Sequence, residues 1–175
     1  MDGKRAIRQE QYPNGNVRIQ QSYTYDGKQD GVSKTFYEDG TLSTEITYAD
    51  DKMEGPTRAY HPNGNLRAEF CYRNGKRHGD YRTYYEDGSL EMETTLDNGA
   101  VNGSYTVYHQ NGRVREECRF VNNRREGKAL TYHENGMIEM DAVFKDGSMV
   151  SCKEFDDEGK PVTTKADHVS KVMGH

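Results

Sequence analysis

The chain has 175 residues, of which 32% are hydrophobic, 30% charged and 10% aromatic, and its formal net charge is -5. That balance excludes the basic footprint of a nucleic-acid binder, while thirteen Tyr and five Phe exclude the aromatic-poor composition of a disordered segment. The length suits one domain of ordinary size, and no apolar run approaches the roughly 18 residues of a membrane-spanning helix.

The opening stretch, MDGKRAIRQEQYPNG, lacks the apolar segment of a signal peptide, and its polarity suits a strand that blunts one edge of a sheet. From there an Asn-Gly or Asp-Gly pair recurs behind an aromatic or His. Its glycines are Gly15, Gly40, Gly64, Gly88, Gly112, Gly136 and a degenerate Gly159, in steps of 25, 24, 24, 24, 24 and 23 residues. Four residues before them stand Phe36, Tyr60, Tyr84, Tyr108, Tyr132 and Phe155, and two after them Val17, Leu42, Leu66, Leu90, Val114 and Ile138. A second glycine closes each unit, at Gly31, Gly55, Gly79, Gly103 and Gly127. A fixed period of this size is the mark of a repeat architecture.

Each unit predicts two strands and two turns. Leu66, Ala68, Phe70 and Tyr72 alternate with Arg67, Glu69 and Cys71, the period of a half-buried strand. RNGK follows, whose Asn74-Gly75 suits a type I′ hairpin. The next run, DYRTYY, ends in a second hairpin signal. A two-residue loop at Asp87-Gly88 would place Glu86 opposite Ser89, Tyr85 opposite Leu90, Tyr84 opposite Glu91 and Arg82 opposite Glu93. Directly opposed residues share a face, so one face collects the apolar column, including Tyr81, Thr83 and Tyr85. The other collects charges and one aromatic per repeat.

The expected fold is all-β: an elongated, single-layer antiparallel meander of about a dozen strands, built of six to seven 24-residue β-hairpin repeats. Such units are stable only when stacked on neighbours. The repeat domain is expected over residues 1–159 and a tail over 160–175. There Asp167 would N-cap a short capping helix with Val169, Val172 and Met173 turned inward; an unstructured tail is the alternative.

The repeated pattern, clearest in YYEDGSLEMETTLDNG and CYRNGKRHGDYRTYY, resembles the MORN repeat variant of YwqK-type bacterial antitoxin and immunity proteins, over about residues 11 to 159. The resemblance implies a non-enzymatic, protein-binding repeat protein that neutralises a cognate toxin. The alternative is a structural scaffold or membrane-proximal adaptor, as implied for eukaryotic MORN arrays. The chain has no Trp, so the Tyr-x-Gly…Trp spacing of those arrays is missing. It also lacks a basic cluster that would hold anionic lipid, so membrane binding is not expected.

No catalytic or cofactor motif emerges. His61, His109 and His133 share one repeat position with Tyr12, Tyr37 and Tyr85. Neighbouring repeats lie roughly 10 Å apart, too far for one metal with ligands at about 2.1 Å, and interchange with Tyr indicates a packing ring. Cys71, Cys118 and Cys152 fall at unrelated positions, which suits reduced thiols in the cytoplasm and not a disulfide framework. The glycines follow Asn or Asp in hairpins and open no helix, so they form no phosphate loop.

One column does carry a signal. Gln20, Glu45, Glu69, Glu93, Glu117 and Asp141 share a repeat position, and Lys34, Arg58 and Arg82 face Glu45, Glu69 and Glu93 in an ordinary ion-pair ladder. Further along, Glu117 would face Thr106 and Asp141 would face Leu130, and Lys128 would reach Glu117 only across the other turn. Departures from a repeat rule are expected at functional sites. The candidate partner-binding residues are therefore Tyr84, Glu93, Tyr108, Glu117, Tyr132 and Asp141, an acidic, Tyr-rich surface suited to a basic protein such as a toxin domain. The structural reading of the same residues is a solvated face that supports the sheet.

Overall fold

The computed structural model describes residues 6–162; the tail helix expected around Asp167 lies outside them. The chain divides into two compact units, Met1–Val101 and Asn102–His175. The first holds β1 (Ala6–Gln11), β2 (Val17–Tyr23), β3 (Gly31–Phe36), β4 (Leu42–Ala49), β5 (Lys52–Tyr60), β6 (Leu66–Arg73), β7 (Lys76–Tyr84) and β8 (Leu90–Asp97). Starting at the boundary come β9 (Ala100–Tyr108), β10 (Val114–Val121), β11 (Arg124–Arg125), β12 (Gly127–Tyr132), β13 (Ile138–Lys145), β14 (Ser148–Phe155) and β15 (Pro161–Val162). In the first unit each strand pairs antiparallel with the next. The second does the same, except that β11 and β12 both pair with β10. The all-β meander of hairpin repeats is thus the fold, and no helix occurs among the described residues.

The two turn types differ in their chemistry. Except in the first repeat, where only Gly27 does so, both central residues of the turn within a repeat take positive φ, as at Asn74 and Gly75 (52° and 74°), Asn98 and Gly99 (51° and 90°) and Asp146 and Gly147 (51° and 85°). This is the type I′ geometry that Asn-Gly favours, and it sets Arg73 opposite Lys76.

The turn between repeats is not the two-residue loop that Asp87-Gly88 suggests. Only Gly88 has positive φ. The Tyr85 amide donates to the Ser89 carbonyl at 2.9 Å, and Asp87 Oδ1 accepts the Ser89 amide at 2.8 Å. An Asp side chain that mimics a backbone turn explains this longer loop. Tyr84 consequently faces Leu90 and not Glu91, and Tyr85 and Glu86 lie outside the strands. A bulge between Thr83 and Tyr84 absorbs the extra residue, so Thr83 faces Met92 and Arg82 faces Glu93. The register is therefore as expected two residues into the strand, although the turn is not.

The most buried side chains of the apolar face are small. In the first unit they include Thr57, Ala59 and Ala68 at 4%, 7% and 8% exposure, and in the second Val107, Ala129 and Ala142 at 3%, 2% and 0%. Aromatic rings lie over them half-buried: Phe70 stacks on Tyr81 at 5.2 Å between centroids, and Tyr105 meets Phe120 edge-on at 5.3 Å. The small residues let neighbouring rings cover the backbone where no second layer packs among the described residues.

Candidate protein-binding face

The repeats are tied together at their turns. The Tyr12 and Tyr37 hydroxyls donate to the carbonyls of Phe36 and Tyr60 at 2.8 and 2.7 Å. Nε2 of His61, His109 and His133 makes the same bond to the carbonyls of Tyr84, Tyr132 and Phe155, at 2.8, 2.8 and 3.0 Å. A carbonyl only accepts, so each ring carries its proton on Nε2. Tyr and His interchange here because both place a donor at the same height, which is more specific than the flat ring the sequence suggests. Asn63, Asn111 and Asn135 add a second stitch, from Nδ2 to the carbonyls of Glu86, Glu134 and Asp157 at 2.7, 3.1 and 2.7 Å.

On this rigid frame the polar face of the first unit is a filled ladder. Glu45 lies between Lys34 and Arg58, and Glu69 between Arg58 and Arg82. Lys34 Nζ sits 2.9 Å from Glu45, and Arg82 reaches Glu69, Asp80 and Glu93 at 3.7, 3.4 and 3.6 Å. The hydrogen bond from Lys34 holds the Glu45 carboxyl below its ordinary range against the opposing effect of burial. Each acid also accepts a phenol from the aromatic column: Tyr60 donates to Glu45 at 3.2 Å and Tyr84 to Glu69 at 2.7 Å. Burial, and then the bond to Glu69, pushes the Tyr84 phenol up to about 12.

The second unit departs from this rule at one position. Glu117 lies between Thr106 and Leu130, uncharged residues at the places where Lys34, Arg58 and Arg82 stand in earlier repeats. It is exposed, whereas Glu45, Glu69, Glu93 and Asp141 are partly buried. Its Oε1 accepts the Tyr132 hydroxyl at 2.5 Å. The Tyr132 phenol is pushed up to about 12, by burial first, then by that bond and by the charges of Glu117 and Asp141.

Lys128 does not serve Glu117. Its Nζ lies 3.5 Å from Asp141, so Asp141 has a cation of its own, and Lys153 stands opposite it in the strand register. The shorter side chains beside Glu117 leave a shallow depression of about 260 Å³, lined by Ser104, Thr106, Glu117, Arg119, Lys128 and Leu130.

Of the residues expected at a site, Glu117, Tyr132 and Asp141 come together in the second unit. Tyr84 is bonded to Glu69, a residue outside the expected set. Glu93 is held by Arg82, and Tyr108 ends β9 with contacts of its own. The phenol–carboxylate bond was the missed feature. Its signal is a constant step of 15 residues, from Tyr60 to Glu45, Tyr84 to Glu69 and Tyr132 to Glu117.

Among the described residues no group of three or more His, Cys, Asp and Glu side chains could hold a metal, and no helix is long and apolar enough to cross a membrane. Cys71 and Cys152 are exposed, and Cys118 is partly buried, with burial pushing its thiol up to about 11.

A family model described as MORN repeat variant matches residues 29–50, 53–74, 77–98, 101–122 and 125–146. Each match spans one hairpin repeat. No curated protein matches the chain in sequence. Among solved structures it is similar to a chain in the crystal structure of TcdB2-TccC3-Cdc42, at 13% identity and a TM-score of 0.26, over 86% of this chain and 10% of that chain. The present chain thus spans about a tenth of that chain's length.

Proposed function

The chain belongs to the MORN repeat variant family, and from that premise we propose that it is an antitoxin or immunity protein that binds and neutralises a basic toxin domain in the cytoplasm. At the coarser level it is a repeat-based binding or scaffold protein. The reading of a protein-binding face is supported above all by Glu117, the acid set between Thr106 and Leu130 where other repeats supply cations. A partner's Arg or Lys entering the depression would complete the ladder. Tyr132, fixed by its bond to Glu117, offers the kind of aromatic contact in which interfaces are enriched. Asp141 and Tyr108 would extend the acidic, Tyr-rich surface of the second unit that steers a basic partner, and Tyr84 and Glu93 would offer the same chemistry on the first.

The test is co-expression with the product of the adjacent gene, followed by affinity measurement. Complex formation and rescue of growth are expected. Glu117→Lys with Asp141→Lys should weaken binding by about tenfold or more, while the far-ultraviolet spectrum stays that of the folded chain and the unfolding midpoint, lowered by loss of the Tyr132 and Lys128 contacts, stays above the assay temperature. Absence of any complex overturns the antitoxin reading. A complex whose affinity the double reversal leaves unchanged overturns the assignment of this face. Co-sedimentation with anionic vesicles in place of toxin binding would support a scaffold.

A further inference from the structure

At one repeat position an arginine stands over rings of the apolar face in two of the repeats, but its counter-charge is supplied only once. In the second unit Arg125 rides over Phe144 and Phe120, 5.4 and 5.9 Å from the ring centroids. It pairs with the Glu116 carboxylate, which is largely buried on that face. Two repeats earlier, 48 residues back, Arg77 holds the equivalent position, 4.7 Å from the Phe70 centroid and 5.7 Å from that of Tyr81. The residue equivalent to Glu116 is Ala68. Among the described residues no carboxylate stands within ion-pair distance of Arg77.

What remains beside Arg77 is a groove of about 450 Å³ lined by Thr57, Ala59, Ala68, Phe70, Arg77 and Tyr81. Ligand pockets commonly start at roughly 300 Å³. Thr57 is 96% buried, the complement of its 4% exposure, and its Oγ1 has no hydrogen-bond partner among the described residues. An orphaned buried hydroxyl costs stability unless something bonds to it. Arg67 and Glu91 also line the groove, and their opposite charges offset, leaving Arg77 to set the sign.

We propose that this groove receives the acidic side chain of a partner polypeptide, a Glu or Asp carboxylate that pairs with the Arg77 guanidinium. The fold itself supplies the precedent, because Glu116 is such a side chain seated beside the equivalent arginine. Rings under the guanidinium and an apolar wall at Ala59 and Ala68 fit the methylene stem of a glutamate, and its carboxylate would make a charge-assisted bond to the guanidinium. The groove belongs to the first unit and Glu117 to the second, so the inference does not rest on the toxin reading.

The experiment is an NMR titration of the full chain with the capped tripeptide acetyl-Leu-Glu-Leu-amide, following the Arg77 side-chain Nε–H and the Thr57 methyl. Saturable shifts at both are expected, weakened about tenfold or more by Glu→Gln in the peptide or by Arg77→Met in the protein. Ala68→Glu, which places a carboxylate where Glu116 stands two repeats on, should abolish peptide binding in a folded chain. If that variant fails to fold, Arg77→Met carries the test, because Arg77 is exposed. No shift at Arg77, an equal response to the Gln peptide, or unchanged binding by Arg77→Met overturns the proposal. So does sodium hexanoate moving the same signals while the peptide leaves them still, which would make the occupant a free carboxylic acid.

Discussion

The polar faces of the two units use the same acid column and solve its charge differently. In the first, Glu45 and Glu69 each sit between two cations, and Arg82 alone answers three acids. In the second, Glu117 has Thr106 and Leu130 as neighbours and a phenol as its hydrogen-bond donor, while Asp141 keeps Lys128 and stands opposite Lys153. The lesson is that the ladder is not needed to hold hairpins in register, because β10 pairs with β9 through the same alternation without it. Register comes from the turns and from the stitch of Tyr or His to the next carbonyl. The charged face is therefore free to vary where a partner binds.

The comparison breaks first if the shared stitch is not shared energetically. His61→Phe in the first unit and His109→Phe in the second each leave a carbonyl without its donor, that of Tyr84 and that of Tyr132. Each should cost about 1–2 kcal/mol in urea unfolding, with the two values agreeing within about 0.5 kcal/mol. A large cost in one unit and none in the other would mean that the units are held by different means.

A smaller effect separates the units. Arg82→Met strips the cation from Glu69, Asp80 and Glu93 and should destabilise by about 1 kcal/mol, the value of a small, partly exposed ion-pair network. Thr106→Arg restores the ladder position beside Glu117 and should stabilise by about 0.5 kcal/mol, the size of one cross-strand pair. The same substitution fills the proposed seat, so it should also weaken binding of a basic partner. If it weakens stability instead, Arg119 and Lys128 already saturate Glu117, and the depression is not an open acidic site.

How much of this was legible in the chain follows from which contacts are periodic. The 24-residue step and the alternation of Leu66, Ala68, Phe70 and Tyr72 reveal strands, faces and most of the register. The facing of Glu117 with Thr106 and of Asp141 with Leu130 was readable for the same reason. The turn at Asp87 was misread because Asp-Gly supports two geometries, and only the Ser89 amide bound to the Asp87 side chain decides between them. Lys128 was misplaced because its bond to Asp141 is diagonal and not directly opposed. The groove at Arg77 was invisible for a different reason: it needs the repeats to be compared at Ala68 and Glu116, on the face that looked merely structural.

The finest discrimination lies in the two phenols. Tyr84 and Tyr132 are both pushed up to about 12, and in both burial leads, followed by the hydrogen bond to a carboxylate. Around Tyr84, however, the charge of Arg82 acts against the rise, whereas around Tyr132 Asp141 adds to it. A phenol whose folded value exceeds its unfolded value of about 10 contributes stability that is complete below pH 10. That contribution is lost as pH rises through the folded value, so both units should weaken between about pH 10 and 12. With selectively labelled tyrosines followed by NMR, Glu117→Gln should bring Tyr132 down toward the ordinary phenol range and leave Tyr84 in place, while Glu69→Gln should do the reverse. Arg82→Met should move Tyr84 further up and leave Tyr132 still. If Tyr132 fails to fall in Glu117→Gln, its phenol is held by burial alone, and Glu117 is then free to turn away from Tyr132 toward a partner instead of being presented by it.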